Sequence, residues 1–287
     1  MIRGQGFDAP KLEAGLYLAA TPIGNLGDVT LRVLEAMAGA DLIACEDTRV
    51  TSKLVRHFAI QTKLVPYHEH NANEAGPRLL ADVRSGKSVV LVSDAGTPIV
   101  SDPGSRLVLA AREADINVIP LPGASAPLAA LVASGLPSES WTFCGFLPTK
   151  QGARIAALES RAHSSDTLIF FESPNRLTKT LADMISVFGA ERRASVGREL
   201  TKMHEEVTTT SLAELATYYG DRTVKGEIVL LVAPSADEQA MDAETLLEEL
   251  LATLPVSKAA AEAATLTGQP KRDLYQLALL LKERHRE

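Results

Sequence analysis

Val89-Val90-Leu91-Val92-Ser93-Asp94-Ala95-Gly96-Thr97-Pro98 decides the fold, together with its echo Asn117-Val118-Ile119-Pro120-Leu121-Pro122-Gly123-Ala124-Ser125-Ala126. In each, a short apolar run containing β-branched residues meets a glycine-centred turn and then a helix-like stretch. Turns that leave the carboxyl ends of parallel strands are where open α/β sheets bind their ligands. Gly96 and Gly123 would let backbone come close to a ligand where a side chain would collide. From the glycines alone, two ordinary strand-to-helix turns are an equal reading.

Outward from these two strands the pattern alternates strand and helix. Leu16 to Ala20 reads as a first strand, Thr21 to Asp28 as a Gly-rich loop, and Leu31, Val33, Leu34 and Met37 as a helical period that stops at Gly39. Leu42 to Cys45 is a second strand, followed by a helix from about Thr48 to Phe58. A short third strand surrounds Leu64-Val65, and Asn73 to Ser85 reads as helix. Buried strands separated by helices predict a parallel sheet covered on both faces, here over residues 14–137.

A second α/β unit, 138–234, begins at Trp141 to Phe146. Its further strands are expected at Thr167 to Phe171, Ala194 to Gly197, Val207 to Thr210 and Ile228 to Val232, and hairpin-like spacing between the last of them predicts a mixed sheet. Residues 235–287 form a helical extension, acidic at first and then basic, with Ser257 expected to cap its second helix and Gly268 to end it. A helix–turn–helix reader of nucleic acid and a dimer-packing or capping bundle are both open readings of that tail.

Composition narrows the function. The 287 residues carry 29 Lys plus Arg against 36 Asp plus Glu, a formal charge of −7, so any RNA contact needs a local basic patch. Aromatics are only 5%, which leaves few rings for stacking bases. The two cysteines, Cys45 and Cys144, fit neither a disulfide framework nor a zinc site. No apolar signal region and no membrane-length run occurs, so a reduced cytoplasmic setting is expected. Neither G-x-G-x-x-G after a strand, nor a P-loop, nor a G-x-S-x-G elbow is present, which lowers dehydrogenases, P-loop NTPases and that class of hydrolase. His68-Glu69-His70 lacks an evident third ligand and reads as a polar loop without metal.

Three strand-end motifs carry polar chemistry. Glu46-Asp47-Thr48-Arg49 follows the second strand; Asp47 or Thr48 can cap the next helix, but two acids and an arginine exceed what a cap needs. Arg198-Glu199-Leu200-Thr201-Lys202-Met203-His204-Glu205-Glu206 joins two strands and mixes proton carriers with anion binders. Phe170-Phe171-Glu172-Ser173-Pro174-Asn175-Arg176 places an acid and an arginine around an X-Pro turn, and Lys225-Gly226-Glu227 stands before the last strand.

These motifs, with Ala20-Thr21-Pro22-Ile23-Gly24-Asn25-Leu26-Gly27-Asp28 and Tyr67-His68-Glu69-His70-Asn71, resemble the ribosomal small-subunit RNA 2′-O-methyltransferase I family within the tetrapyrrole methylase class. The resemblance covers about 14–234, and the tail is similar to the family's C-terminal extension. It departs from many tetrapyrrole methylases in having Gly96-Thr97-Pro98 where they have Gly-Asp-Pro. The resemblance implies two α/β domains with S-adenosylmethionine in the cleft between them, no metal, a homodimer, and a cytidine ribose in the decoding centre of 16S rRNA as substrate, probed in the 30S subunit.

By resemblance, Pro22, Asp94, Ala95, Gly96, Thr97, Val100, Ser125, Ala126, Glu172 and Gly226 surround the donor. Lys202, made neutral beside another cation or acting as a charge, is expected to activate the ribose hydroxyl with Glu199 or Glu205, while Glu46 and Asp47 compete for that role. Arg49, Arg176, Arg198 and His204 are expected to hold the RNA, with Arg154, Arg192, Arg193 and the basic tail adding positive surface. A methylase acting on a small tetrapyrrole and a non-enzymatic RNA-binding assembly factor remain the rival readings.

Overall fold

The computed structural model describes residues 9–267 and 269–284, leaving aside the side chains of 236–243, 265–266 and 283–284. Its first sheet holds β1 (Gly15–Ala19), β2 (Leu42–Cys45), β3 (Lys63–Pro66), β4 (Ser88–Val92) and β5 (Val118–Leu121) in the order β3-β2-β4-β1-β5, all parallel. Alternation along the strands fills both faces. Tyr17, Ile43 and Val90 meet Val33 and Met37 of α1 (Leu31–Gly39) and Leu54 of α2 (Thr48–His57). Leu16, Ala44, Val89 and Leu91 meet Leu79 of α3 (Ala72–Arg84) and Leu107 of α4 (Ser105–Glu113). The chain runs out from β1 to β2 and β3, then returns through β4 and crosses β1 to β5. That reversal opens a crevice at the carboxyl ends of β1, β4 and β5.

The second sheet, β6-β7-β10-β8-β9, comprises β6 (Trp141–Phe146), β7 (Thr167–Glu172), β8 (Arg193–Arg198), β9 (Glu206–Ser211) and β10 (Ile228–Val232). Only β6 and β7 run parallel, so the sheet is mixed as the spacing predicts. Its outer face packs Phe170 and Leu230 on α6 (Gln151–Glu159), α7 (Leu177–Phe188) and α8 (Leu212–Gly220). Its inner face packs Ile169, Val229 and Leu231 on Ala130 and Leu131 of α5 (Ala126–Ser134), the helix that leaves β5 of the first sheet. One helix thus joins the two units, and the crevice lies at its N-terminus.

The tail folds as α9 (Ala236–Leu251), α10 (Val256–Thr267) and α11 (Lys271–Arg284) around Leu247, Ala259, Ala263, Leu274 and Ala278. α10 starts one residue before Ser257, which lies in the first turn and is not the cap; Gly268 lies outside the described residues. Among the described residues no helix is long and apolar enough to cross a membrane.

Candidate active site

Three loops meet at the crevice, and glycines let them touch one another. Thr21 N–H donates to the Gly96 carbonyl oxygen (2.8 Å) and Gly96 N–H donates back to that of Thr21 (3.0 Å). The Thr97 hydroxyl donates to the Ala124 carbonyl oxygen (3.2 Å), tying the turn after β4 to the turn after β5. Gly96 sits at φ +79°, and a Cβ there would press on Ile23. At Gly123 a Cβ would come within 2.9 Å of the Ala20 side chain. Both backbone polar groups of Gly96 bond to Thr21, and its carbonyl oxygen also accepts from the Ser93 hydroxyl (3.2 Å).

These loops enclose a cavity of about 360 Å³, within the usual range of small-molecule sites. Ile23, Val100, Phe146, Phe171 and Val229 supply apolar walls, and small residues supply clearance. Of the residues expected around the donor, Ala95, Gly96, Thr97, Val100, Ser125, Ala126, Glu172 and Gly226 line it. Pro22 and Asp94 are not among the lining residues. Asp94 instead accepts the Asp47 backbone N–H (3.0 Å), bracing the ends of β4 and β2. Glu172 is buried and turns its carboxylate into the β7–α7 turn, accepting from Ser173 N–H (2.8 Å) and the Thr180 hydroxyl (2.6 Å).

Sequence reasoning missed Ile23, Ser101, Asp102, Phe146 and Phe171 as wall residues. The signal for Asp102 was its turn, Ser101-Asp102-Pro103-Gly104, before α4. Ile99 (φ +77°) and Ser101 (φ +66°) are both left-handed there. For a β-branched residue that conformation is a genuine outlier, and such outliers gather at functional sites.

A second cavity of about 320 Å³ adjoins the first and shares Ser101 and Asp102 with it. Its character is opposite. Glu46, Glu69 and Asp102 face Arg106, Ser105 and the Tyr67 ring. Burial raises the Glu46 carboxyl above its ordinary range, reinforced by Asp94 and Asp102. Asp47 takes the opposite course: hydrogen bonds from the Arg49 side chain and N–H hold it down at about 2. It caps α2 and pairs with the exposed Arg49 (2.6 Å), which makes it a poor proton acceptor.

The charged β8–β9 loop closes on itself. Lys202 pairs with Glu199 (2.8 Å) and Glu227 (3.0 Å), and Arg198 pairs with Glu206 (3.0 Å). Burial pushes the Lys202 ammonium down, but the hydrogen bonds to Glu199 and Glu227 outweigh it and the net direction is up. The expectation of a lysine made neutral by a neighbouring cation is therefore corrected, because its partners are carboxylates. Neither Lys202 nor Glu199 is among the lining residues of either cavity. Glu199 (φ +50°) and Thr201 (φ +66°) shape the loop. The Lys202 chain lies over Gly24 and Glu199 lies against Gly226, where in each case a Cβ would collide.

The arginines sort by burial. Arg154 is 5% exposed and paired with Asp183 (2.6 Å), so its assignment to an RNA surface is withdrawn. Arg176 donates to the Leu147 carbonyl oxygen (2.8 Å) and neighbours Glu172, which makes it a brace for β7–α7. Arg192 donates to the carbonyl oxygens of Ala162 (3.0 Å) and Ala233 (3.3 Å). Arg49, Arg193 and His204 are exposed, and Arg198 is half-buried in its ion pair. His68 N–H donates to Asn71 (2.8 Å). Among the described residues no group of three or more His, Cys, Asp or Glu could hold a metal ion.

Two family models match this chain: Tetrapyrrole (Corrin/Porphyrin) Methylases over residues 15–216, and the RsmI C-terminal HTH domain over 237–282. It is 54% identical to Ribosomal RNA small subunit methyltransferase I of Mesorhizobium japonicum, over 99% of this chain and 97% of that protein. The chain belongs to the RsmI family of tetrapyrrole methylases. The protein of the same name from Escherichia coli O157:H7 is 44% identical, over 94% of this chain and 96% of that one.

The fold is that of solved tetrapyrrole methylases. Uroporphyrin-III-C-methyltransferase from Thermus thermophilus superposes with a TM-score of 0.55 at 21% identity, covering 79% of this chain and 98% of that one. Diphthine synthase gives 0.59 at 17%, covering 76% and 89%. S-adenosylmethionine is the methyl donor of the RsmI family. The first cavity fits it: apolar walls suit a purine, small residues allow a bent ligand, and the Asp102 and Glu227 carboxylates suit a cation.

Proposed function

We propose that the protein transfers a methyl group from S-adenosylmethionine to the ribose 2′-oxygen of a cytidine in the decoding centre of 16S rRNA. The observation that carries this reading is the pairing of a small-residue apolar cavity with a polar, acidic one beside it. A donor and a hydroxyl acceptor need those two environments side by side. The relatives' name, Ribosomal RNA small subunit methyltransferase I, supplies the macromolecule. A tetrapyrrole is disfavoured because Glu46, Glu69, Asp102 and Arg106 make a charged receptacle for a flat, largely apolar ring.

In this reading Ile23, Val100 and Phe171 seat the donor and keep water from it. Glu46 borders the acceptor, and the charged Lys202 holds the β8–β9 loop closed over the Gly24 loop. Exposed Arg49, Arg193 and His204 face the RNA. The protein works as a homodimer on assembled 30S subunits in the cytoplasm, with its units divided near 137 and 234. The test is incubation with labelled donor and either 30S subunits or naked 16S rRNA, followed by mapping of the ribose methyl. Transfer to a base, or to a tetrapyrrole in preference to RNA, overturns the reading.

A further inference from the structure

We infer that Asp102 is the group that takes the proton from the acceptor hydroxyl. This rests on the reading of that acceptor as a ribose 2′-OH. Asp102 and Ser101 are the residues common to both cavities, so they stand between a donor in the first and an acceptor in the second. An acceptor atom that approaches the donor's methyl carbon from the second cavity comes up against this shared pair. The carboxylates first suggested by sequence are placed otherwise: Asp47 is committed to Arg49, Glu199 to Lys202, and Glu46 lines only the second cavity.

The second cavity itself points to a polar occupant. Tyr67 is 2% exposed, its ring packed in the core, yet it lines this cavity. A phenol at a cavity wall presents a polar tip to whatever enters it. The volume of about 320 Å³ is in the range that takes a small organic ligand such as a nucleoside.

The step balances without a further reactant. The 2′-oxygen bonds to the donor's methyl carbon as the sulfur–carbon bond breaks, the electron pair stays on sulfur as a neutral thioether, and the 2′-proton passes to the Asp102 carboxylate. Burial raises that carboxyl above its ordinary range, opposed by Ser93 and reinforced by Asp94. A stronger base results. The charged groups around it are Asp94 just after β4, Glu46 just after β2 with His68 acting on Glu46, and Glu69 and Arg106 in the second cavity. Glu172 and Glu227 stand across the first.

The test is single-turnover methylation of 30S subunits at saturating donor across pH, with S-adenosylhomocysteine affinity measured by calorimetry. Asp102→Asn should lower the rate by about 10²–10⁴-fold, weaken S-adenosylhomocysteine affinity far less than that, and abolish the rise of rate with pH expected of the wild type on its acid side. Asp102→Glu should recover part of the rate with that acid limb displaced. If Asp102→Asn fails to fold, the displacement in Asp102→Glu decides. Wild-type rate in Asp102→Asn, or an acid limb left in place by the variants, overturns the inference. A wild-type protein that puts no methyl on a ribose overturns the acceptor reading beneath it, which is a separate and recognisable failure.

Discussion

The two cavities share a wall and differ in almost everything else. The first cavity, the proposed donor site, is built from small and apolar side chains on loops locked to one another through Thr21–Gly96 and Thr97–Ala124. The neighbouring cavity is lined by ionisable groups, and burial raises the Glu46 and Asp102 carboxyls among them. Binding a large, flexible donor asks for shape, which close packing provides. Activating a hydroxyl asks for a charge kept partly out of water, which packing opposes. The fold meets both demands by placing the first at the reversal point of the sheet and the second over the ends of β2 and β3.

That contrast can be broken from the donor side with the largest effect. Ala126 lies at the start of α5 and lines the donor cavity only. Ala126→Phe should fill the cavity and weaken S-adenosylmethionine binding by about 100-fold or more, because close-packed sites tolerate added volume poorly. Calorimetry checks this, and unchanged affinity would move the donor elsewhere.

A smaller effect comes from the hinge between the cavity and the charged loop. Gly226 has φ +95°, and a Cβ there would collide with the Glu199 side chain. Gly226→Ala should cost about 1–3 kcal/mol and loosen the Glu199–Lys202 pair. Denaturant unfolding measures the first, and a weaker low-pH loss of stability marks the second. The sign follows from the Glu199 carboxyl, held below its ordinary 4.5 chiefly by its hydrogen bond from Lys202. Its contribution is present above that value and lost as pH falls through the folded one.

The smallest effect tests the acidic side. Glu46 is raised from 4.5 by burial and by Asp94 and Asp102, so the folded chain binds its proton more tightly than the unfolded chain. Rising pH between 4.5 and the folded value therefore erodes stability, and the penalty persists at neutrality. Glu46→Gln should remove that slope and leave the protein slightly more stable at pH 7, with donor affinity unchanged. Thermal melts across pH check it, and a destabilised variant would mean that the Glu46 charge is paired after all.

Much of the architecture was legible because strand and helix leave periodic traces. Val89 to Val92 and Ile228 to Val232 announce buried strands, and the latter ends where the reading placed it. Eight of the residues that the resemblance put around the donor line the first cavity. What escaped were contacts made across long sequence distances. Phe146 and Phe171 reach the cavity from the second sheet, and Ile23 reaches it through the Thr21–Gly96 bridge. Arg154 looks like a surface cation until Asp183, from another helix, buries it. Lys202 read as a lysine beside another cation because Glu227, its second carboxylate partner, lies far along the chain. Charge is visible in a sequence; its partner is not.

The packing of α5 bears on how the chain reaches its native state. The helix follows β5 in the chain, yet Ala130 and Leu131 find their cover on Ile169, Val229 and Leu231 of the second sheet. Val229 and Leu231 belong to its last strand. A chain emerging from the ribosome thus completes its first sheet while α5 still carries an uncovered greasy face. Nascent intermediates of intermediate length are the ones that need a chaperone. A gene split between the two sheets would yield halves that co-purify, because each holds the cover the other lacks.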